Sequence, residues 1–180
     1  LAKTAGAKVV ACAGSSDKLA AIEPLGADVL IDYSHKGWDE ALRARGELVD
    51  VVFDGVGGDI GAAASKLLRP AGRFCQYGMA SGSFTELPSD LPRREVVVLR
   101  GLNLDPMQAR GLSVEAIEGA AAGRLQPVIG QIFSLEQAAQ AHAAIEARET
   151  IGKTLLRASR TALRAGLVRR AVTGWLPISS

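Results

Sequence analysis

Short apolar runs alternate with helical segments along this chain, and each of the first four runs ends in a turn rich in glycine, serine or tyrosine. Residues 8–13 (KVVACA) lead into Gly14-Ser15-Ser16, and residues 16–24 read as a helix that stops near Pro24 and Gly26. Residues 29–31 (VLI) end in Asp32-Tyr33, followed by an amphipathic helix over 37–46. Residues 50–54 (DVVFD) run into Gly55-Val56-Gly57-Gly58, and a helix over 59–69 closes at Pro70-Ala71-Gly72. Residues 73–77 then form a strand with a glycine turn after it. Four β–α steps at this spacing require parallel strands joined by helical crossovers. Their near-continuous apolar character suits a sheet buried on both faces.

The second half continues the alternation. The pattern predicts a strand over 96–102, a helix over 113–123, a strand over 128–133, a helix over 135–147 and a strand over 153–157. Ser134 and Gln137 have the spacing of a capping box for the last helix. The expected fold is therefore an α/β doubly wound parallel sheet of Rossmann type over residues 1–157, with residues 158–180 as a separate tail. The stretch 79–92 has little periodicity and reads as a long loop, either functional or a plain connector.

Charge excludes some functions. After Glu149 there is no acidic residue, while Lys153, Arg157, Arg160, Arg164, Arg169 and Arg170 are all basic; residues 1–150 carry more acid than base. A body of that sign offers no nucleic-acid footprint. No apolar run approaches the roughly 20 residues of a membrane-spanning helix. There is no signal-peptide pattern, and a chain opening on Leu1 reads as a truncated or processed piece. Cys12 and Cys75 each sit in an apolar run, as two buried, reduced thiols of a cytoplasmic protein would.

In open parallel sheets ligands bind at the carboxyl ends of the strands. Four such ends are available. The first is Gly14-Ser15-Ser16-Asp17-Lys18. No acid follows Ala13 to bind ribose hydroxyls, as an NAD-selective fold would have. The two hydroxyls and Lys18 suit a 2′-phosphate instead, and so an NADPH cofactor. The alternative is an ordinary helix cap by Ser15 or Ser16 with a surface lysine. Tyr33, at the second end, suits either an adenine or phosphate contact or a half-buried turn. Asp54-Gly55-Val56 and Tyr77-Gly78 form the third and fourth ends, where glycine lets backbone approach a ligand; plain β–α turns are the alternative. His35 and His142 have no second ligand at metal spacing, so a metal site is not expected. No nucleophile–base set is present, and the catalytic residues are unknown.

Six motifs in order, LAKTAGA at 1–7, VVACAGSSDK at 9–18, LGADVLIDY at 25–33, VDVVFDGVGG at 49–58, GRFCQYGMASG at 72–82 and residues 133–156, resemble the nucleotide-binding part of quinone oxidoreductases of the zeta-crystallin type. These are zinc-independent medium-chain dehydrogenase/reductases. The resemblance implies an NADPH-dependent oxidoreductase, with Gly14, Ser15 and Lys18 in the 2′-phosphate pocket and Tyr33 closing it. It implies Gly55 and Val56 beside the adenosine, Tyr77, Gly78, Leu102 and Asn103 near the nicotinamide half, and Arg148 reaching the cofactor. It also implies a small-molecule substrate, a quinone or enone, and a homodimer.

The same resemblance implies two missing parts: a first strand with its glycine-rich turn, and a catalytic domain. The lost strand would lie between 8–13 and 51–53, so two interior edges are expected to be left unpaired. A chain with such edges is expected to be poorly stable, inactive alone, or completed by another segment. A non-catalytic nucleotide-binding or interaction module is the competing expectation. The tail departs from the family; Leu163, Leu167, Val168, Val172 and Trp175 fall near helical spacing, which fits a basic amphipathic helix or a disordered extension.

Overall fold

A computed structural model describes residues 1–87, 95–98 and 105–158. Residues 1–7 coil through helical turns, with Ala5 N–H donating to Leu1 O at 3.0 Å. The elements then follow as β1 (Val10–Ala13), α1 (Ser16–Ile22), β2 (Val29–Asp32), α2 (Trp38–Ala44), β3 (Val49–Asp54), α3 (Gly58–Ser65), β4 (Leu68–Gln76), β5 (Glu95–Val98), α4 (Pro106–Ala121), β6 (Ile129–Ser134), α5 (Ala138–Glu146) and β7 (Lys153–Arg157). The alternation read from the sequence is present. Of the strand expected over 96–102, only β5 is described, and Leu102 and Asn103 lie outside the described residues. The loop expected over 79–92 is described as far as residue 87.

Two boundaries differ from expectation. The helix expected over 59–69 stops at Ser65, whose hydroxyl donates to Ala62 O at 2.7 Å. Leu67 is already engaged with β3: its carbonyl accepts from Val49 N–H at 2.9 Å. Leu68 then pairs with Val49, and Arg73 with Val51, so the intervening residues bulge and Ala71 takes a positive φ of 64°. The helix expected to begin at 113 begins at Pro106 instead. Asp105 precedes it and proline occupies its first turn, where the missing N–H costs nothing.

Among the described residues all strand pairs are parallel, in three sheets ordered β1-β2, β3-β4-β5 and β6-β7. The first two sheets are the two flanks of the expected order, with no described strand paired between them. Among the described residues, β1 and β3 each pair on one edge only. The consequence shows in the side chains: Phe53 on β3 is 68% exposed and Cys12 on β1 is exposed. Cys12 therefore departs from the expected buried thiol, because burial of an apolar strand needs neighbours on both edges and both faces. Cys75 is buried in β4, and both thiols are free.

One helix ties the two flanks together. Trp38 and Leu42 of α2 form a buried cluster with Leu67. Val10, Val29, Ile31 and Tyr33 pack on this cluster from the β1-β2 side, and Val49, Ile60, Ala63 and Ala64 from the β3-α3 side. Removing Leu42 to the β-carbon would cost about 2–5 kcal/mol by the usual cavity cost. At the far end, Ser134 and Gln137 make the predicted capping box, with Ser134 N–H donating to the Gln137 side-chain oxygen at 3.0 Å.

Candidate functional site

The strand ends are built twice on one plan. Tyr33, just after β2, donates its N–H to Ala13 O at 2.9 Å; Tyr77, just after β4, donates to Asp54 O at 2.9 Å. In each case the tyrosine ring lies against the glycine that follows the neighbouring strand. A β-carbon on Gly14 would stand 3.0 Å from the Tyr33 ring, and one on Gly55 2.8 Å from the Tyr77 ring. The glycines are thus explained by ring packing. Tyr33 also packs on the Trp38 cluster, so it is held from both sides, whereas Tyr77 is exposed.

In the first turn, Ser15 has extended backbone and caps α1, its hydroxyl accepting weakly from Lys18 N–H at 3.4 Å. Ser16 is the first helical residue and is exposed. The cap anticipated as an alternative is therefore real. Lys18, however, is partly buried, and its ammonium donates to Arg148 O at 3.2 Å. Arg148 in turn sends Nη2 to Ala80 O at 3.1 Å. Three regions remote in sequence, the β1 turn, the end of α5 and the loop after β4, are linked through two cations. Neither cation has a carboxylate partner among the described residues.

Arg148 stands in a position that usually belongs to glycine. Its N–H bonds to Ile145 O and that of Glu149 to Ala144 O, the paired pattern that closes a helix through a left-handed residue. Arg148 supplies that residue with φ 58°.

The Asp54 side chain, an expected cofactor contact, is engaged within its own turn. Its side chain is buried, with Oδ1 accepting from Val56 N–H at 3.0 Å and Gly57 N–H at 2.9 Å, and Oδ2 accepting from Thr85 Oγ1 at 2.6 Å. Three donors hold it inside the turn. Gly57 needs its freedom: at φ 78° and ψ −169° it occupies a region essentially restricted to glycine. Gly78 lies against the Gly55 backbone, where a β-carbon would stand 2.6 Å from Gly55 O.

The zinc-binding dehydrogenase family model matches residues 25–156. The chain belongs to this family. It is 35% identical over 162 residues to quinone oxidoreductase-like protein 2 of Bos taurus, covering 83% of this chain and 45% of that protein. It is 30% identical to a 2-haloacrylate reductase of a Burkholderia species, covering 86% of this chain and 49% of that one. Among solved structures, the quinone oxidoreductase of Escherichia coli complexed with NADPH superposes with a TM-score of 0.74 at 27% identity, over 86% of this chain and 51% of that one. The chain thus spans about half the length of the relatives it matches, and its fold is that of their nucleotide-binding domain.

Among the described residues no group of three or more His, Cys, Asp and Glu side chains that could take a metal ion occurs. Thr85 was missed by the sequence reading. A single threonine in a loop of glycine and serine carries no signal until its partner Asp54 is seen across the turn.

Proposed function

We propose that this member of the zinc-binding dehydrogenase family forms the dinucleotide-binding half of an NADPH-dependent oxidoreductase acting on a quinone or an electron-poor alkene or carbonyl. The carrying observation is the Lys18–Arg148–Ala80 chain of hydrogen bonds, which joins the turn after β1, where Gly14 meets the Tyr33 ring, to the loop after β4. The residues fit the cofactor chemically. Two cations without acidic partners among the described residues and the hydroxyls of Ser15 and Ser16 suit a 2′-phosphate, which accepts from donors of both kinds. Tyr33, held against Gly14, borders that pocket; Gly55, Val56, Tyr77 and Gly78 border the next strand ends. NADPH, when bound, supplies the hydride from its nicotinamide. The protein's share is to bind, orient and exclude water. The substrate class rests on the quinone oxidoreductase and 2-haloacrylate reductase relatives.

The half-length match and the edges of β1 and β3 that no described strand pairs favour a second reading for the chain by itself: a nucleotide-binding module without activity, completed by further protein. Titrating the chain with NADPH and NADH by nicotinamide fluorescence tests both. Binding of NADPH without turnover of a quinone fits the module. Binding of neither nucleotide removes the cofactor role, and tighter NADH binding removes the 2′-phosphate pocket.

A further inference from the structure

We propose that Thr85 is a positioning residue that sets the 55–57 turn through Asp54 without itself touching a ligand; this rests on the dinucleotide reading above. The hydroxyl donates to Asp54 Oδ2 at 2.6 Å across 31 residues, and the two side chains are 8% and 5% exposed. The other oxygen of the same carboxylate holds the N–H groups of Val56 and Gly57. A buried carboxylate that loses one of its donors carries an unsatisfied oxygen, a cost that falls on the turn its other oxygen holds.

Gly61 shows that space is made for this pair. A β-carbon there would fall on Thr85 Oγ1 and within 2.6 Å of Asp54 Oδ2. α3 admits the hydroxyl and carboxylate because residue 61 has no side chain. The lock then reaches the loop after β4. Ser81 N–H donates to Val56 O at 2.8 Å and Ala80 N–H to Gly55 O at 3.3 Å. Ala80 O is the acceptor for Arg148. Thr85 therefore fixes, through one carboxylate, both the glycine turn and the carbonyl that anchors the arginine.

The test compares Thr85→Val, which keeps the shape and removes the donor, with Thr85→Ser, which keeps the donor. Gly61→Ala serves as a second break that alters neither partner. Each full chain is titrated with NADPH, and amide hydrogen exchange is followed residue by residue. Thr85→Val and Gly61→Ala are expected to weaken NADPH binding about tenfold and to speed exchange at Val56, Gly57 and Ser81, while β1 and β2 keep their protection. Thr85→Ser is expected to stay within about twofold of the unaltered chain. Unchanged affinity and unchanged exchange at Val56 and Gly57 in Thr85→Val would overturn the proposal, as would a loss of protection spread evenly over the molecule. If the unaltered chain binds no NADPH, the dinucleotide reading fails, and the exchange pattern alone decides the role of Thr85.

Discussion

The Lys18 ammonium donates to the main-chain carbonyl of Arg148 at 3.2 Å, across 130 residues of sequence. It meets the C-terminal end of α5, where the helix dipole favours a positive charge. Arg148 is itself held at φ 58°, a conformation that costs a non-glycine residue about 1 kcal/mol. The chain bears that cost and places the guanidinium on Ala80 O.

Replacing Arg148 by glycine separates strain from function. Arg148→Gly is expected to leave the unfolding free energy unchanged or raise it by up to about 1 kcal/mol, because the left-handed cap suits glycine. The same change is expected to weaken NADPH binding about tenfold, equivalent to ~1.4 kcal/mol. Urea titration and nicotinamide fluorescence read the two quantities separately. Full-strength binding by the variant would remove Arg148 from the site.

Gly55 and Gly78 touch each other and should tolerate alanine unequally. A methyl at 55 meets the exposed Tyr77 ring, which can swing away; a methyl at 78 meets the backbone of Gly55 at 2.6 Å. Gly78→Ala is expected to cost about 2 kcal/mol and Gly55→Ala less than about 1 kcal/mol in chemical denaturation. Equal costs would mean that the Gly55–Gly78 contact is looser than described.

Acid should unfold the chain through its exposed carboxylates. Hydrogen bonds from Lys3 and from the Val9 N–H hold the Asp28 carboxyl below its usual range, and Lys8 does the same for Glu47. A group depressed in this way stabilises the fold above its unfolded pKa, near 4, and the contribution vanishes as pH falls through the lower folded value. The urea midpoint is expected to be level between about pH 7 and 5 and to decline below about pH 4. Asp28→Asn should make that decline shallower; an identical pH profile would show that Asp28 is not part of it.

Cys12 reports on the edge of β1 that no described strand pairs. Its side chain keeps accessible surface, yet desolvation by the surrounding strand residues pushes the thiol up to about 11. Iodoacetamide should modify Cys12 alone in the folded chain, slowly at pH 8 and faster as the thiolate fraction rises toward pH 11. Buried Cys75 should react only after unfolding. Modification of Cys75 under native conditions would place the β3-β4-β5 sheet in exchange with open forms.

The strand ends were legible because Gly14, Tyr33, Gly55 and Tyr77 punctuate apolar runs, and parallel topology brings such ends to one rim. The break at Ser65 was not, since AAASKLL keeps a helical composition while pairing of Leu67 with Val49 is a long-range event. The start of α4 was missed for a related reason: Gly111 interrupts the periodicity, and the Asp105-Pro106 signal lies upstream of it. Asp54 stands among the expected ligand contacts because it belongs to the glycine turn after β3; only Thr85 and the two turn amides show its side chain turned inward. Arg148 came from the family resemblance, and its partnership with Lys18 has no local sequence signature.

Recognition of a 2′-phosphate by the β1 turn, as proposed, runs through Lys18. Isothermal titration of the chain with adenosine 2′,5′-bisphosphate and with adenosine 5′-monophosphate addresses it without the rest of the cofactor. The bisphosphate is expected to bind at least about tenfold tighter, an advantage of ~1.4 kcal/mol that Lys18→Met abolishes. Equal affinity for the two nucleotides, or a preference that survives Lys18→Met, would contradict the claim.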